Sequence, residues 1–185
     1  MFKRIFGSER AAKERITGGV YDRIVAAARQ PVLYADWNVP DTPLGRYEMI
    51  SLHLFLVLHR LRGETGAREL AQGLTDRFFA ELDHSIRELG VGDLSVPKRM
   101  KKFARMFYGR VASYGEAIDR GDAELLAAAL ARNVRPGETL WRESAELSRH
   151  VVKVQSALAE QSLTDILSGQ VTFPLPDTTE REELR

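Results

Sequence analysis

The sequence GVGDLSVPKRMKKFARMFYGR, residues 90–110, concentrates positive charge that the rest of the chain balances. No acidic residue lies between Asp93 and Glu116, although the chain of 185 residues has a formal net charge of only +1. The positive charge is therefore a local feature rather than a property of the whole composition. The cationic residues of this stretch are Lys98, Arg99, Lys101, Lys102, Arg105 and Arg110.

The same stretch carries the signals of a helix that begins near Ser95. Ser95 is predicted to cap this helix, and Pro97 fits the first turn, because backbone N–H groups there have no partner within the helix. At ~100° per residue, four cations share one side of the helix. These are Lys98, Lys101, Lys102 and Arg105. The roughly opposite side is apolar and carries Met100, Phe103, Phe107, Val111 and Tyr114. We therefore predict a helix that buries one side and presents a cationic stripe on the other.

This stripe has two interpretations, and the sequence leaves both open. A concentrated cationic stripe fits an acidic partner, which would be nucleic acid, anionic lipid headgroups or an acidic protein surface. The alternative is a solvated helix face that binds no partner. Since the charges lie on one side of the helix, the first interpretation has at least as much support as the second.

The composition excludes several classes of protein. The chain contains no cysteine, so disulfides, thiolate metal sites and a cysteine nucleophile are all excluded. No secretory signal is visible. The longest apolar stretch, residues 49–58, is interrupted by Ser51 and His53 and is much shorter than the ~20 residues of a membrane span. We expect a soluble protein, at most peripheral to a membrane.

The apolar pattern repeats at three and four residues along most of the chain, and no segment alternates as a strand does. Helices are predicted over residues 8–29, 43–62, 67–89, 96–120, 123–132 and 138–160, with a final turn over 163–168. In the last long helix, Leu140 and Trp141 are among the residues predicted to be buried. The predicted fold is all-α, a single compact domain of about six helices over residues 1–168. Residues 169–185 are predicted to form a flexible, loosely held tail.

Two segments before the central predicted helix carry unusual residues. Residues 30–43 are predicted to be irregular but are rich in aromatic and apolar side chains, which either pack onto the domain or form the wall of a partner groove. The following motif DTPLGRYE begins the helix, since a capping side chain precedes Pro43. Its Arg46 is predicted to pair with Asp41 or Glu48, either as a half-buried structural ion pair or as part of a partner site.

The sequence carries no recognised catalytic motif. It has no glycine-rich phosphate loop and no nucleophile elbow. The four histidines, His53, His59, His84 and His150, have no spacing typical of metal ligands. We therefore expect no metal site, no cofactor and no enzymatic activity.

Three segments together resemble one protein family. DTPLGRYEMISLHLFLVLHRL resembles a helix-start segment of the ubiquinol–cytochrome c chaperone family, GVGDLSVPKRMKKFARMFYGRVASY resembles its central basic signature, and AAALARNV resembles the segment that follows. The residues that match the basic signature are Asp93, Val96, Lys98, Met100, Lys101, Tyr108, Gly109, Arg110 and Tyr114. The resemblance covers roughly residues 19–134, and the final helix and tail match less clearly.

The resemblance implies an all-α protein without catalytic activity. Mitochondrial members of this family assist biogenesis of cytochrome b, near the ribosome exit and the inner membrane, together with a small partner protein. No segment resembles a mitochondrial transit peptide, which indicates a bacterial member. The implied partners are cytochrome b as client, and as further candidates the ribosome with its rRNA, an anionic membrane surface and a small partner protein.

The leading hypothesis from the sequence is therefore a chaperone for cytochrome b assembly. A general RNA-binding or ribosome-binding module is the first alternative, and an α-helical enzyme with a buried acid/base site is the second. The residues predicted to bind partners are Lys98, Arg99, Lys101, Lys102, Arg105, Tyr108, Arg110, Asp41 and Arg46.

Overall fold

The structure is a computed structural model that describes residues 2–90 and 92–177, with side chains from residue 9 onward. Within these residues the chain forms eight helices and no strand. The helices are α1 (Phe2–Ala28), α2 (Pro31–Ala35), α3 (Pro43–Leu61), α4 (Arg68–Glu88), α5 (Val96–Arg120), α6 (Ala123–Val134), α7 (Ser144–Glu160) and α8 (Leu163–Leu167). The predicted all-α fold is confirmed, since the six longer helices account for the six that were predicted.

Helix α3 is the centre of the domain. It packs against α1, α4, α5, α6 and α7. Its own sequence explains this position, because the middle of the helix is apolar on nearly every side and residues 51–57 are all buried. The N-terminus is fixed locally, where the hydroxyl of Thr42 accepts a hydrogen bond from the backbone N–H of Gly45 at 3.1 Å. The predicted start of the central helix is thus confirmed.

Helix α5 buries the apolar side that its sequence predicted. Phe107 and Tyr114 are both 1% exposed, and Phe103 and Val111 pack partly buried against the core. The helix ends at Gly121, whose φ of 65° is the left-handed conformation that glycine adopts without strain. The predicted capping role of Ser95 is wrong, since its backbone is already helical and its side chain makes no capping hydrogen bond.

The segment predicted to be irregular before α3 contains the short helix α2. Leu33, Trp37 and Val39 are buried in the core, so packing onto the domain is the interpretation that the structure supports for them. Tyr34 is only half-buried, and its hydroxyl donates to the backbone oxygen of Ala28 at 2.8 Å. The sequence analysis missed this helix because Pro31 interrupts the apolar period. Proline is nevertheless tolerated at the first position of a helix, which is where Pro31 lies.

The start of the last long helix differs from the prediction. Helix α7 begins at Ser144 rather than near residue 138, because residues 135–143 form turns ahead of it. Trp141 is buried as predicted, and its indole N–H donates to the backbone oxygen of Trp37 at 3.0 Å. Leu140 is 72% exposed, so its predicted burial is wrong.

The segment after α8 is attached to the domain through residue 177. Val171 is 1% exposed within the core, and Arg23 of α1 donates to its backbone oxygen at 3.0 Å. The side chain of Gln161 bonds both the N–H and the oxygen of Thr172, each at 2.9 Å. Residues 169–177 are therefore held more firmly than the loose tail that was predicted from residue 169, while residues 178–185 lie outside the described residues.

No helix among the described residues combines the length and the hydropathy that a bilayer crossing requires.

Candidate interaction surface

The first three turns of α5 present a group of exposed cations, which we call the cationic face. Its members are Lys98, Arg99, Lys101, Lys102 and Arg105, and all five are exposed. Within residues 9–90 and 92–177, none of the five side chains takes part in an ion pair. Ion pairs therefore do not compensate the mutual repulsion of these five charges, and an external anionic partner would relieve it.

Most cationic side chains elsewhere among residues 9–90 and 92–177 take part in ion pairs, unlike those of the cationic face. Arg62 donates to both oxygens of Asp119 at 2.9 and 3.0 Å, and Arg87 pairs with Asp83 at 2.6 Å. The contrast shows that the chain pairs many of its other cations with acidic residues but leaves those of the cationic face without ion pairs among the described residues.

The contacts of the buried side of α5 fix the side of the helix that faces outward. Val96 is 1% exposed at the first position of the helix, and Phe107 packs on Phe78 of α4 with ring centroids 5.3 Å apart. The hydroxyl of Tyr47 in α3 also donates to the backbone oxygen of Phe103 at 2.8 Å. Because these contacts hold one side of α5 in the core, the lysines and arginines on the other side must point outward.

Tyr108 lies at the edge of the cationic face. Its side chain is 58% exposed, and its ring centroid lies 5.5 Å from that of Phe107. On a helix at ~100° per residue, Tyr108 is within ~20° of Lys101. The structure thus brings an exposed aromatic ring to the cations, as the predicted set of partner-binding residues requires.

Arg110 does not belong to this surface. It is 8% exposed and makes a two-point ion pair with Glu48 of α3, in which Nε and Nη2 donate to the two carboxylate oxygens. Its Nη1 donates to the backbone oxygen of Met106 at 2.9 Å. Burial raises the pKa of Glu48, and the nearby Arg110 opposes that shift. The expectation that Arg110 contributes to an exposed cationic set is wrong, because its donors are directed into the core.

The predicted pairing of Arg46 is confirmed only for Asp41. Arg46 Nε lies 2.7 Å from a carboxylate oxygen of Asp41, and the hydrogen bond lowers the pKa of that carboxyl. Both side chains are more than half exposed, so the expected partial burial of the pair is wrong. Glu48 is unavailable to Arg46, since it faces the interior and Arg110.

An open cleft of about 500 Å³ lies between α1, α3 and α4. Its apolar lining includes Val25, Ile50, Leu82 and Leu89, and its cationic lining includes Arg29, Arg46 and Arg77. A second hollow of about 620 Å³ shares Arg29 and Arg46 with the cleft and is lined also by Tyr34 and Asp41. The two hollows therefore adjoin, and the predicted partner residues Asp41 and Arg46 lie along them.

Sequence reasoning missed this cleft. Its walls come from three helices that are separate in the chain, and each lining residue read alone as part of an ordinary helix. Two interpretations left open in the sequence pointed towards it. Tyr34, from the segment that was a candidate groove wall, lines the second hollow, and Arg46, a candidate partner-site residue, lines both hollows.

The buried histidines form a cluster away from the cleft. The rings of His53 and His150 lie 6.3 Å apart, and His150 also contacts Trp37 at 5.5 Å. Burial lowers the pKa of each histidine to about 4. Among the described residues, no group of three or more histidine, aspartate or glutamate side chains is arranged to hold a metal ion.

The fold and surfaces described above define a helical domain that presents a clustered cationic face and an open cleft lined by both apolar and charged side chains. The sequence model of one family, described as ubiquinol-cytochrome C chaperone, matches residues 35–173. The chain therefore belongs to the ubiquinol–cytochrome C chaperone family, as its motifs predicted, and the membership supports a chaperone role.

A solved structure gives the same result. The "Crystal structure of the Cbp3 homolog from Brucella abortus" superposes with a TM-score of 0.88 at 51% sequence identity. The match covers 96% of this chain and 99% of that chain. A comparison with curated proteins found no match.

Proposed function

We propose that this protein is a chaperone for biogenesis of the cytochrome b subunit of ubiquinol–cytochrome c reductase, and that it works while held at an anionic surface. Family membership supports the chaperone role. The observation that carries the second part is the cationic face, five exposed side chains without ion pairs on the first three turns of α5.

The strength of such an attachment follows from the number of charges. Each lysine or arginine near an anionic membrane contributes about 1 kcal/mol, so four or five on one face hold a protein reversibly. Attachment of this kind weakens as salt rises, because ions screen exposed charges within roughly a Debye length. On this proposal the protein is cytoplasmic and lies peripherally at the cytoplasmic face of the membrane into which cytochrome b is inserted.

We assign the client contact to the open cleft. Val25, Ile50 and Leu82 give it an apolar lining, and arginines stand around them. A mixed lining of this kind suits a segment with one apolar side, such as part of an unassembled membrane protein. The neighbouring hollow, with Tyr34, Asp41 and Arg46, extends the same surface and offers room for a small partner protein.

RNA binding is the second candidate, and one observation favours it. Tyr108 is 58% exposed beside Lys101, and exposed aromatic rings next to cations are stacking sites for unpaired bases.

By contrast, the enzyme hypothesis required perturbed titratable groups in a deep pocket. The buried Glu48, His53 and His150 line neither of the two hollows. The strongly perturbed groups that do line the cleft are Tyr21 and Tyr47, whose pKa values burial raises to about 12, so that both stay neutral near pH 7.

The proposed function is tested by the reduced-minus-oxidised spectrum of membranes from a strain that lacks the gene. We expect cytochrome b to be lost, the intact gene to restore it, and a variant with Lys98, Lys101, Lys102 and Arg105 changed to Glu to fail. The matched control changes Arg15, Arg68, Arg132 and Arg142 to Glu. These four are also exposed but lie apart, so the control alters the net charge equally without touching α5.

The outcomes separate the parts of the proposal. A normal spectrum in the deletion strain would contradict the chaperone role. Loss of cytochrome b with full rescue by the α5 variant would retain the chaperone and remove the cationic face from its mechanism. Failure of the dispersed control as well would show that net charge, rather than this face, is what matters.

A further inference from the structure

The side chains next to the cationic face point to the kind of anionic surface it meets. Leu94 lies two residues before α5 and is 100% exposed, and Leu89 at the end of α4 is 66% exposed. Single exposed leucines are common on soluble proteins and need no explanation. Here, however, both leucines flank the turn that leads directly into the five clustered cations.

Leu94 and the cations lie on the same side of the chain. The backbone of Ser95 is in the right-handed helical region, with φ −93° and ψ −22°, so the helical path extends back towards Leu94. At ~100° per residue, this path puts Leu94 within ~40° of Lys98. The exposed leucine therefore belongs to the cationic face rather than to the opposite, buried side of α5.

Tyr108 is the exposed side chain at the other end of the cationic face. Fourteen residues separate it from Leu94, about 21 Å along a helix at 1.5 Å per residue. The cations lie between these two exposed side chains. Tyrosine is enriched where membranes meet water, leucine inserts into the acyl region, and lysine and arginine bind the headgroups between them.

Nearby acidic residues do not neutralise this surface. Asp93 pairs with Arg87, and Glu88 lies 3.1 Å from His84. Their charges are thus directed to partners on α4, and the five side chains of the cationic face remain without ion pairs among the described residues.

We propose that the partner of the cationic face is an anionic lipid bilayer, on which α5 lies flat with Leu94 and Leu89 inserted at one end and Tyr108 at the other. This inference rests on the proposed attachment to an anionic surface and names that surface. RNA phosphates would use the cations and Tyr108 but have no use for exposed leucines, and this favours lipid.

The test measures binding of the purified full-length chain to vesicles, by flotation. We expect binding to phosphatidylcholine vesicles that contain phosphatidylglycerol, little binding to phosphatidylcholine alone, and release by high salt. Changing Leu89 and Leu94 to Ser together should weaken partitioning at least about tenfold. The control changes Leu140 and Leu175 to Ser, which are 72% and 68% exposed elsewhere, and should bind like the wild type.

A label measures insertion directly. Because the chain contains no cysteine, Leu94→Cys gives a single site for an environment-sensitive fluorophore, and Leu140→Cys gives its control. We expect the emission to shift to the blue on adding anionic vesicles only for the label at position 94. Circular dichroism confirms that each variant is folded.

Each contrary result has a distinct meaning. Equal vesicle binding by the Leu89/Leu94 variant, with no emission shift, would overturn insertion but leave attachment by charge intact. Absence of vesicle binding, with α5-dependent binding to a single-stranded RNA probe, would overturn the bilayer and keep an anionic partner. Binding to neither probe, together with rescue of cytochrome b by the α5 charge variant, would overturn the anionic surface itself.

Discussion

Arg110 of α5 and Glu48 of α3 form a two-point ion pair in the interior, with their side chains 10% and 1% exposed. The pair fixes α5 on the central helix at a position about one and a half turns beyond the cationic face. Removing one partner of a buried pair leaves an uncompensated charge, which typically destabilises a protein by 3–5 kcal/mol. Arg110 is therefore a structural residue of the basic signature, whereas its lysines are free to meet a partner.

We expect Arg110→Met to lower the free energy of unfolding by about 3–5 kcal/mol, measured by urea denaturation. The double variant Arg110→Met with Glu48→Leu should recover much of this loss, because no unpaired charge remains buried. The control Arg46→Met breaks the exposed pair with Asp41 and should leave stability close to that of the wild type. If Arg110→Met and Arg46→Met lower the free energy of unfolding equally, the buried pair does not stabilise the fold more than the exposed one, contrary to our expectation.

Two glycines should respond in opposite directions to replacement by alanine. A Cβ at Gly45 would lie 1.9 Å from the backbone oxygen of Pro40, so the chain would have to shift at the start of α3. Gly109 has open space around the same position. We expect Gly45→Ala to lower the unfolding midpoint and Gly109→Ala to raise stability by roughly 0.5–1 kcal/mol, since glycine weakens a helix interior.

Thermal unfolding of the two glycine variants checks this expectation. A stable Gly45→Ala protein would show that the loop at Pro40 yields easily, and a destabilised Gly109→Ala protein would contradict the open surroundings of that residue.

The buried histidines predict a loss of stability in mild acid. His53 and His150 have pKa values lowered to about 4 in the folded protein, whereas an unfolded histidine titrates near 6.5. Between these values the unfolded chain binds more protons, so stability is complete above pH 6.5 and falls as pH decreases towards 4. The loss is on the order of 3 kcal/mol per histidine by pH 4.

Urea denaturation at a series of pH values measures this effect. His150→Phe should reduce the slope of stability against pH by about one proton, because an uncharged ring replaces a titrating one. His84, which is exposed, offers the control substitution His84→Phe. An unchanged slope in His150→Phe would show that His150 protonates without unfolding the protein.

The attached segment after α8 should contribute to stability. Val171 is 1% exposed, and truncating a buried aliphatic side chain leaves a cavity, so Val171→Ala is expected to destabilise by about 1–3 kcal/mol. Leu175 is 68% exposed, and Leu175→Ala should be nearly neutral. Equal unfolding midpoints for the two variants would instead favour the loose tail that the sequence predicted.

Much of the fold was determined locally, and the sequence alone was enough to show it. The apolar period of α4 and α5, the capping by Thr42 and the left-handed Gly121 each depend on residues within a few positions of one another. The resemblance of the basic signature to its family was likewise readable without a structure. These features could be predicted because helix formation, capping and amphipathic patterning are short-range properties of the chain.

The burial of Arg110 was only partly predictable from the sequence. At ~100° per residue, Arg110 lies within ~60° of Phe107 and Tyr114 but also within ~20° of Arg99, which is exposed, so the helical pattern left its side undecided. A single carboxylate at Glu48, in the otherwise apolar centre of α3, was the matching signal, because a buried charge requires a partner.

Only the tertiary structure decided which distant residues meet. Three features depend on how helices far apart in the chain cross one another. They are the ion pair of Glu48 with Arg110, the burial of Val171 in the core, and the cleft between α1, α3 and α4. Many helix arrangements satisfy the same local patterns, and close packing with satisfied buried polar groups selects among them. The sequence by itself determined the helices, their faces and the concentration of charge on α5. The packing of those helices buried Arg110 with its counter-charge Glu48, while the five cations of the cationic face remain on the surface.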